Sequence, residues 1–388
     1  MAGTGPDFFG VDELLTEDER QIRNTIADFV DREVAPGIGD WWLEGVFPRH
    51  LIPKMASLGI FGPTLPERYG GAGVSSVAYG LIMQELERGD SGLRSFASVQ
   101  SGLSMYAIYR YGSEEQRLNW LPRMARGEVI GCFGLTEPDA GSDPGAMRTR
   151  AHRSGSGFVL DGTKRWITNG SVANVAVVWA RDDEGEIRGF LVEKGTPGFT
   201  ARDIKTKASM RASVTSDLIL EGAQVDASAL LPEAKGLGAP LSCLTQARFG
   251  IAFGVVGAAM DCYNEALAYT GERVSFGRPV SQRQMTQEKL VDMLTRITEG
   301  QLLALQLGRL KDAGKMTYPQ VSMAKRQNTR DALRTARAAR ELLGGNGITV
   351  EYRAMRHMAN LETVDTYEGT YEVHTLIVCR EITGKEAF

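Results

Sequence analysis

Phe158-Val159-Leu160, Val175-Ala176-Val177-Val178-Trp179, Gly189-Phe190-Leu191-Val192 and Leu218-Ile219-Leu220 are short apolar runs gathered in one stretch of the chain. β-Branched and aromatic residues dominate them, and none is long enough for a helix, so each reads as a strand. Gly155, Asp161-Gly162, Asp182-Asp183-Glu184-Gly185 and Gly195-Thr196-Pro197-Gly198 separate the runs. These residue types supply the backbone angles of tight turns. A compact β unit therefore occupies roughly residues 130 to 235.

Both flanks carry a helical period instead. Upstream, Thr16-Glu17-Asp18-Glu19 has the form of a capping box, in which side chains satisfy the free N–H groups of a helix start. Ile22, Ile26, Phe29 and Val30 follow at helical spacing, and Pro36 ends the run. Phe61 to Gly73 is rich in proline and glycine and reads as a loop. Val77 to Glu87 and Arg94 to Arg110 read as helical, and Ser113-Glu114-Glu115-Gln116 opens a further helix ending near Gly127. Downstream, Leu290, Met293, Leu294 and Ile297 form one face, continued by Leu302, Leu303, Leu305 and Leu310. Ala324 to Leu343 is another long helical segment, closed by Gly344-Gly345, and Thr370 to Ile382 follows Gly369. The expectation is an α+β multidomain chain with an N-terminal helical domain (1–130), a middle β domain (131–235) and a C-terminal helical domain (236–388).

Composition narrows the function. A chain of 388 residues buries enough surface to need no disulfide or metal staple. A net charge of −4 argues against nucleic acid as the main partner. No uninterrupted apolar run approaches ~20 residues, so no membrane insertion is expected. The N-terminal stretch is acidic and lacks both a secretory core and an Arg-rich transit pattern. A cytoplasmic, prokaryotic-type location is expected, with a processed mitochondrial matrix form left open. Cys132, Cys243, Cys262 and Cys379 are widely spaced, with no C-x-x-C, and read as reduced and mostly buried. The sequence contains no G-x-G-x-x-G, no P-loop and no G-x-S-x-G. His50, His152, His357 and His374 form no H-E-x-x-H, and no metal site is expected.

Four further segments stand out together. They are Phe133-Gly134-Leu135-Thr136-Glu137-Pro138 with Gly141-Ser142-Asp143, Lys164-Arg165-Trp166-Ile167-Thr168-Asn169, Leu342-Leu343-Gly344-Gly345-Asn346-Gly347, and Tyr367-Glu368-Gly369-Thr370. Each is weak alone; in this order, on a helical–β–helical chain, they make the sequence resemble the acyl-CoA dehydrogenase family over nearly its whole length. The resemblance implies a middle β-barrel-like domain and a C-terminal four-helix bundle. It also implies FAD bound between these domains, in a homotetramer built as a dimer of dimers. Desaturating an acyl thioester needs a base for the α-proton and a hydride acceptor for the β-hydrogen, and FAD supplies the acceptor. By the resemblance, Glu368 is the base, and its backbone N–H shares the thioester carbonyl with a flavin ribityl hydroxyl. Thr136 and Thr168 hydrogen-bond the flavin ring and Trp166 packs beside it, with Phe133, Leu135, Gly141, Ser142, Ile167 and Thr370 also in the cofactor site. Arg273, Phe276, Gln284, Glu341, Leu342, Gly344 and Gly345 meet the FAD diphosphate and adenine across a subunit interface. Ser142, Arg248, Tyr367 and Gly369 touch substrate. Each has a plainer reading. Trp166 could be a core aromatic on a strand, Glu368 an acid at a helix start, Arg273 part of a solvated helix face, and 342–345 a plain helix C-cap.

Glu85 to Ser95 and Ser98-Val99-Gln100-Ser101 resemble the glutaryl-CoA dehydrogenase branch, as do Phe61 to Glu67, Val74 to Gly80 and Ile382-Thr383-Gly384 through Phe388. That resemblance implies that Glu87, Arg94 and Ser95 line the acyl pocket, with Arg94 meeting the distal carboxylate of the substrate and Glu87 pairing with Arg94 when the site is empty. The implied reaction is oxidation of glutaryl-CoA and decarboxylation to crotonyl-CoA, a step of lysine and tryptophan degradation, with electrons leaving to an electron-transferring flavoprotein. Gly89, Leu93, Ser242, Thr245-Gln246 and Tyr371-Glu372-Val373 depart from that branch. Three alternatives stay open: a dehydrogenase for another short acyl thioester, an oxidase, and a flavin-free acyl-CoA-binding scaffold.

Overall fold

The Thr16 hydroxyl accepts from the Glu19 N–H, and the Glu19 carboxylate accepts in return from the Thr16 N–H. This reciprocal cap starts α1 (Glu17–Phe29) in the computed structural model, which describes residues 7–386. The first residues of the acidic N-terminal stretch and Phe388 of the C-terminal resemblance lie outside the described residues. α1 runs into a π-helical turn, Val30–Val34, before α2 (Ile38–Glu44) and α3 (Ile52–Ser57). The loop expected from Phe61 to Gly73 holds a single 3-10 turn, Glu67–Tyr69.

The next two helices carry the acyl-pocket candidates. α4 (Ser76–Gly89) is buried along its whole length, and α5 (Ser91–Ser98) follows after a single residue, Asp90. Asp90 serves as the N-cap of α5, its carboxylate accepting from the Gly92 N–H at 2.7 Å. A π-helical stretch, Val99–Met105, then leads into α6 (Tyr106–Tyr111), and α7 (Glu114–Ala125) opens with the Ser113–Gln116 capping box. In that π stretch Gln100 docks the β unit. Its amide accepts from the Gly131 N–H at 2.7 Å and donates to the carbonyls of Met124 and Val129.

The middle unit is one curled sheet of β1 (Gly131–Gly134), β2 (Arg150–Ser154), β3 (Gly157–Thr168), β4 (Val175–Arg181), β5 (Ile187–Glu193), β6 (Phe199–Asp203) and β7 (Thr215–Asp226). The order is β1-β4-β2-β3-β7-β6, with β5 added on β4. β1 pairs parallel to β4, while β3 and β7 form a long antiparallel ladder. That ladder breaks register between Lys164 and Ile167. A bulge of this kind re-aims the side chain it carries.

The C-terminal bundle contains α8 (Gly238–Glu272), α9 (Gln284–Asp312), α10 (Tyr318–Leu342), α11 (Ala354–Thr366) and α12 (Tyr371–Thr383). α8 is long and apolar enough to cross a bilayer by composition, which the absence of a long uninterrupted apolar run concealed, but it is largely buried inside the chain. α10 begins six residues before the expected Ala324, at a Thr317 capping box. The Arg273–Gln284 segment is not a helix face. It forms a hairpin of β8 (Val274–Ser275) and β9 (Arg278–Pro279), followed by a 3-10 turn and the start of α9. Cys132, Cys243 and Cys262 are buried and Cys379 is exposed, all four as free thiols.

α4 and α8 approach closely because glycine lines the contact. A Cβ on Gly257 would stand 1.9 Å from the Gln84 carbonyl oxygen, which is backbone and cannot swing away. Gly257→Ala is therefore expected to lower unfolding stability by about 1–3 kcal/mol, the usual cost of overpacking. Denaturant unfolding of the two proteins, compared at equal slope, checks this; an unchanged midpoint would show that the helices can separate without penalty.

Candidate active site

The segment after β1 and the last part of β3 are held against each other by a buried charge. The Lys164 ammonium donates to Glu137 at 2.7 Å and to the Leu135 carbonyl at 3.2 Å. Glu137 also accepts from the N–H groups of Arg148 and Thr149 and from the Thr149 hydroxyl. Burial opposes ionisation of Glu137, but Lys164 and these donors hold its carboxyl below the usual range. The Arg165 N–H closes the junction on the Thr136 carbonyl at 2.8 Å. Thr136 and Thr168 lie on the two segments so joined, each partly accessible, while Phe133, Leu135 and Ile167 are buried. Trp166 sits at the bulge with φ 63° and is 53% exposed, so it is no ordinary core aromatic. Gly141 and Ser142 are exposed on the same connection.

The second centre lies where α4, α5, α8, α10 and the end of α11 converge. Asp90 organises it: its buried carboxylate accepts from Arg356 at 2.7 Å and from Asn360 at 2.8 Å, both on α11. Arg356 also donates to the Gly89 carbonyl, the last residue of α4. This brace sets α5 against the chain leaving α11, which carries Tyr367 and Glu368. Arg94 is fully buried, as is Glu87, and they pair at 2.6 Å. Space for the pair comes from Gly254 on α8, where a Cβ would stand 2.2 Å from the Glu87 carboxylate. Arg94 also donates to the Tyr367 hydroxyl. Burial disfavours the guanidinium charge, yet Glu87 and Tyr367 raise its already high pKa.

Glu368 takes φ 52° and Gly369 φ 102°, two left-handed residues in succession. Glycine is required at 369, where a Cβ would meet the His374 ring at 2.7 Å. The Glu368 carbonyl accepts from Arg248 Nε at 2.6 Å, and the Thr370 hydroxyl caps α12. Glu368 is thus outside the helix start, in a turn of its own, which displaces the plain helix-dipole reading. Burial raises its carboxyl pKa, against the pull of Arg94, Arg248 and Lys325. Its Oε2 and the Arg94 Nη1 are buried without a partner, and the neighbouring Tyr79 and Ser98 hydroxyls face each other beside them. Unpaired buried polar atoms are costly, so their convergence marks a place built for a polar ligand. Ser95 is buried beside them on α5. Tyr79 and Gly254 were not singled out in the sequence; their signal is only spatial.

The remaining candidates sit elsewhere. Arg273, Phe276, Gln284, Glu341, Gly344 and Gly345 are exposed, and Leu342 is half-buried, at one end of the bundle where Lys289 pairs with Glu341 at 2.6 Å. Among the described residues, no hydrogen bond or ion pair joins this group to the Thr136 and Thr168 segments. Gly344 has φ 60° after α10, so the helix-end reading holds there as geometry. The donor set suits a flavin dinucleotide. Hydroxyls and a tilted indole line the two β segments, and Arg273 is a guanidinium with no partner among the described residues, of the type that binds diphosphates in pairs.

Comparison with known proteins agrees with this geometry. The N-terminal, middle and C-terminal domain models of acyl-CoA dehydrogenases match residues 16–128, 132–223 and 234–383. A glutaryl-CoA dehydrogenase from Mycobacterium smegmatis, solved in complex with FADH2, is 54% identical, with a TM-score of 0.97 and 98% of each chain covered. A chain in a structure described as the electron transferring flavoprotein of Acidaminococcus fermentans is 35% identical, covering 96% of this chain and 99% of that one, with a TM-score of 0.92. The human mitochondrial short-chain specific acyl-CoA dehydrogenase is 35% identical over 94% of this chain and 90% of its own length. The chain belongs to the acyl-CoA dehydrogenase family, a family of FAD-dependent oxidoreductases.

Because burial raises the Glu368 pKa, a rate that depends on its ionised form should fall as pH drops, with its acid limb above the ordinary glutamate value of about 4.3. The pH dependence of anaerobic flavin reduction measures this. A limb at or below the ordinary value would mean that the three cations outweigh burial.

Proposed function

We propose that this protein oxidises glutaryl-CoA and decarboxylates the product to crotonyl-CoA. The observation that carries the reading is Arg94: a fully buried guanidinium whose Nη1 has no partner, beside the likewise unpartnered Oε2 of Glu368. A pocket for a plain acyl chain gains nothing from such a group. Leaving a buried charge incompletely paired costs about 3–5 kcal/mol when its partner is absent. Glu87 supplies most of that pairing in the empty site. A five-carbon diacid thioester brings a distal carboxylate that completes it. The likeness to the Mycobacterium smegmatis enzyme supports the same choice.

The residues divide the work. Glu368 Oε2 is enclosed and unpaired, free to take the α-proton of a thioester held beside it. Bound FAD supplies the acceptor for the β-hydrogen. Arg94 and Tyr367 orient the distal carboxylate, and the low-dielectric pocket strengthens that contact. After the carboxylate leaves as CO2, protonated Glu368 returns its proton to the decarboxylated product. Electron-transferring flavoprotein as the electron partner, and a homotetramer in which Arg273, Phe276, Gln284 and Glu341–Gly345 complete a neighbour's FAD site, are parts of the same proposal. Exposure of Arg273, Phe276, Gln284, Glu341, Gly344 and Gly345 in the single chain supports the second part, and the Acidaminococcus fermentans likeness supports the first.

The second reading is a short monocarboxylic acyl-CoA, favoured by the likeness to the human short-chain enzyme. Arg94 separates the two. One charged contact is worth about 1.5–3 kcal/mol, so kcat/KM should favour glutaryl-CoA over butyryl-CoA on the order of 10²-fold. Arg94→Gln should remove most of that preference, and a wild type that prefers butyryl-CoA would establish the second reading instead. Glu368→Gln is nearly isosteric; it should fold and bind FAD but lose flavin reduction by either substrate. Normal reduction in that variant would dismiss Glu368 as the base.

A further inference from the structure

Lys325 lies on α10, 1% exposed, directly beneath the turn that carries Glu368. Its ammonium donates to the Gly369 carbonyl at 2.8 Å and to the Asp365 carbonyl at 3.4 Å. Asp365 is in the last turn of α11, and Gly369 follows the base, so the two bonds span the catalytic turn from both sides. Arg248 takes the carbonyl between them, that of Glu368, from the opposite helix α8. Two successive left-handed residues hold their shape only where the surroundings over-determine them. Here two cations from two helices do so.

We propose that Lys325 is a positioning residue for the reaction: it pins the Glu368 turn through the Asp365 and Gly369 carbonyls, and its charge favours the ionised carboxylate of the base. The inference rests on Glu368 being that base. The groups facing Lys325 are Asp365 on α11, Glu368 in the turn, Arg248 on α8, Arg94 on α5, and Glu372 and His374 on α12. The two arginines stay charged at any ordinary pH. Burial keeps His374 neutral, with Lys325 and Arg248 adding to the effect. Lys325 is therefore the titratable cation acting on Glu368. Burial lowers its pKa to about 7, opposed by Asp365 and Glu368. Its charge is present below neutrality, where it favours the ionised Glu368 carboxylate, and is lost as pH rises past that value.

The test compares holoenzymes of wild type, Lys325→Gln, Lys325→Met, Lys325→Arg and Glu368→Gln. The readout is the anaerobic flavin-reduction rate against pH, using the better of glutaryl-CoA and butyryl-CoA. Gln keeps an N–H for the Gly369 carbonyl without the charge. Its acid limb should move up by about one pH unit, the size expected from losing one nearby opposite charge, with its high-pH rate near wild type. Met loses both functions and should show the same displaced limb with a lower plateau. Arg keeps the charge and should keep the wild-type limb. A wild-type limb in Lys325→Gln overturns the inference, as does a uniform loss in Gln and Met with no displaced limb, or a limb displaced equally in Arg. If those results come with an inactive Glu368→Gln, the base assignment stands alone. Wild-type reduction by Glu368→Gln overturns both.

Discussion

A guanidinium buried away from water dictates the arrangement around it. Arg94 cannot be neutralised by losing its proton, so the fold must supply negative and polar partners at the depth where it sits. Glu87 does this from α4, and Gly254 on α8 keeps clear the space in which the two meet. Tyr367 adds a hydroxyl from beyond α11. The Asp90–Arg356–Asn360 brace, buried behind the pair, fixes the distance between α5 and α11 on which all these contacts depend. One nitrogen of Arg94, Nη1, remains without a hydrogen-bond partner, the contact that the proposed substrate would complete.

The same logic shapes the proposed base. Glu368 is half-buried with its Oε2 out of water, which alone would favour the protonated form. Arg94, Arg248 and Lys325 act against that from three different helices. Burial raises the carboxyl pKa while the three cations favour its ionised form, a balance that suits the proposed role as base and then as acid. The strained turn is an outcome of the same contacts, because two of these cations take its carbonyls.

Electrostatics also builds the flavin side, in a different manner. Glu137 and Lys164 are sequence neighbours of the hydroxyls and the indole that line it, and their buried pair clamps the two segments together. The register break after Lys164 then turns Trp166 outward. The acyl side draws on five helices, while Trp166–Thr168 belong to the last part of β3 and Thr136 to the segment after β1.

The sequence by itself determined the order of helical, β and helical units, because periodicity and capping boxes are local. Thr16–Glu19 and Ser113–Gln116 form the caps their residues specify. It also pointed to Arg94, Glu87 and Glu368 through contiguous motifs. It did not show β2 or β6, whose mostly exposed, polar residues carry no apolar alternation. It could not show that Arg273–Gln284 is a hairpin, since charged residues suit either form. Only the tertiary structure decided that Trp166 is turned outward, that Gly254 makes room for an ion pair, and that Lys325 reaches a turn more than forty residues further along the chain. Those depend on close approach between distant segments, and a pattern of neighbours in the chain holds no record of it.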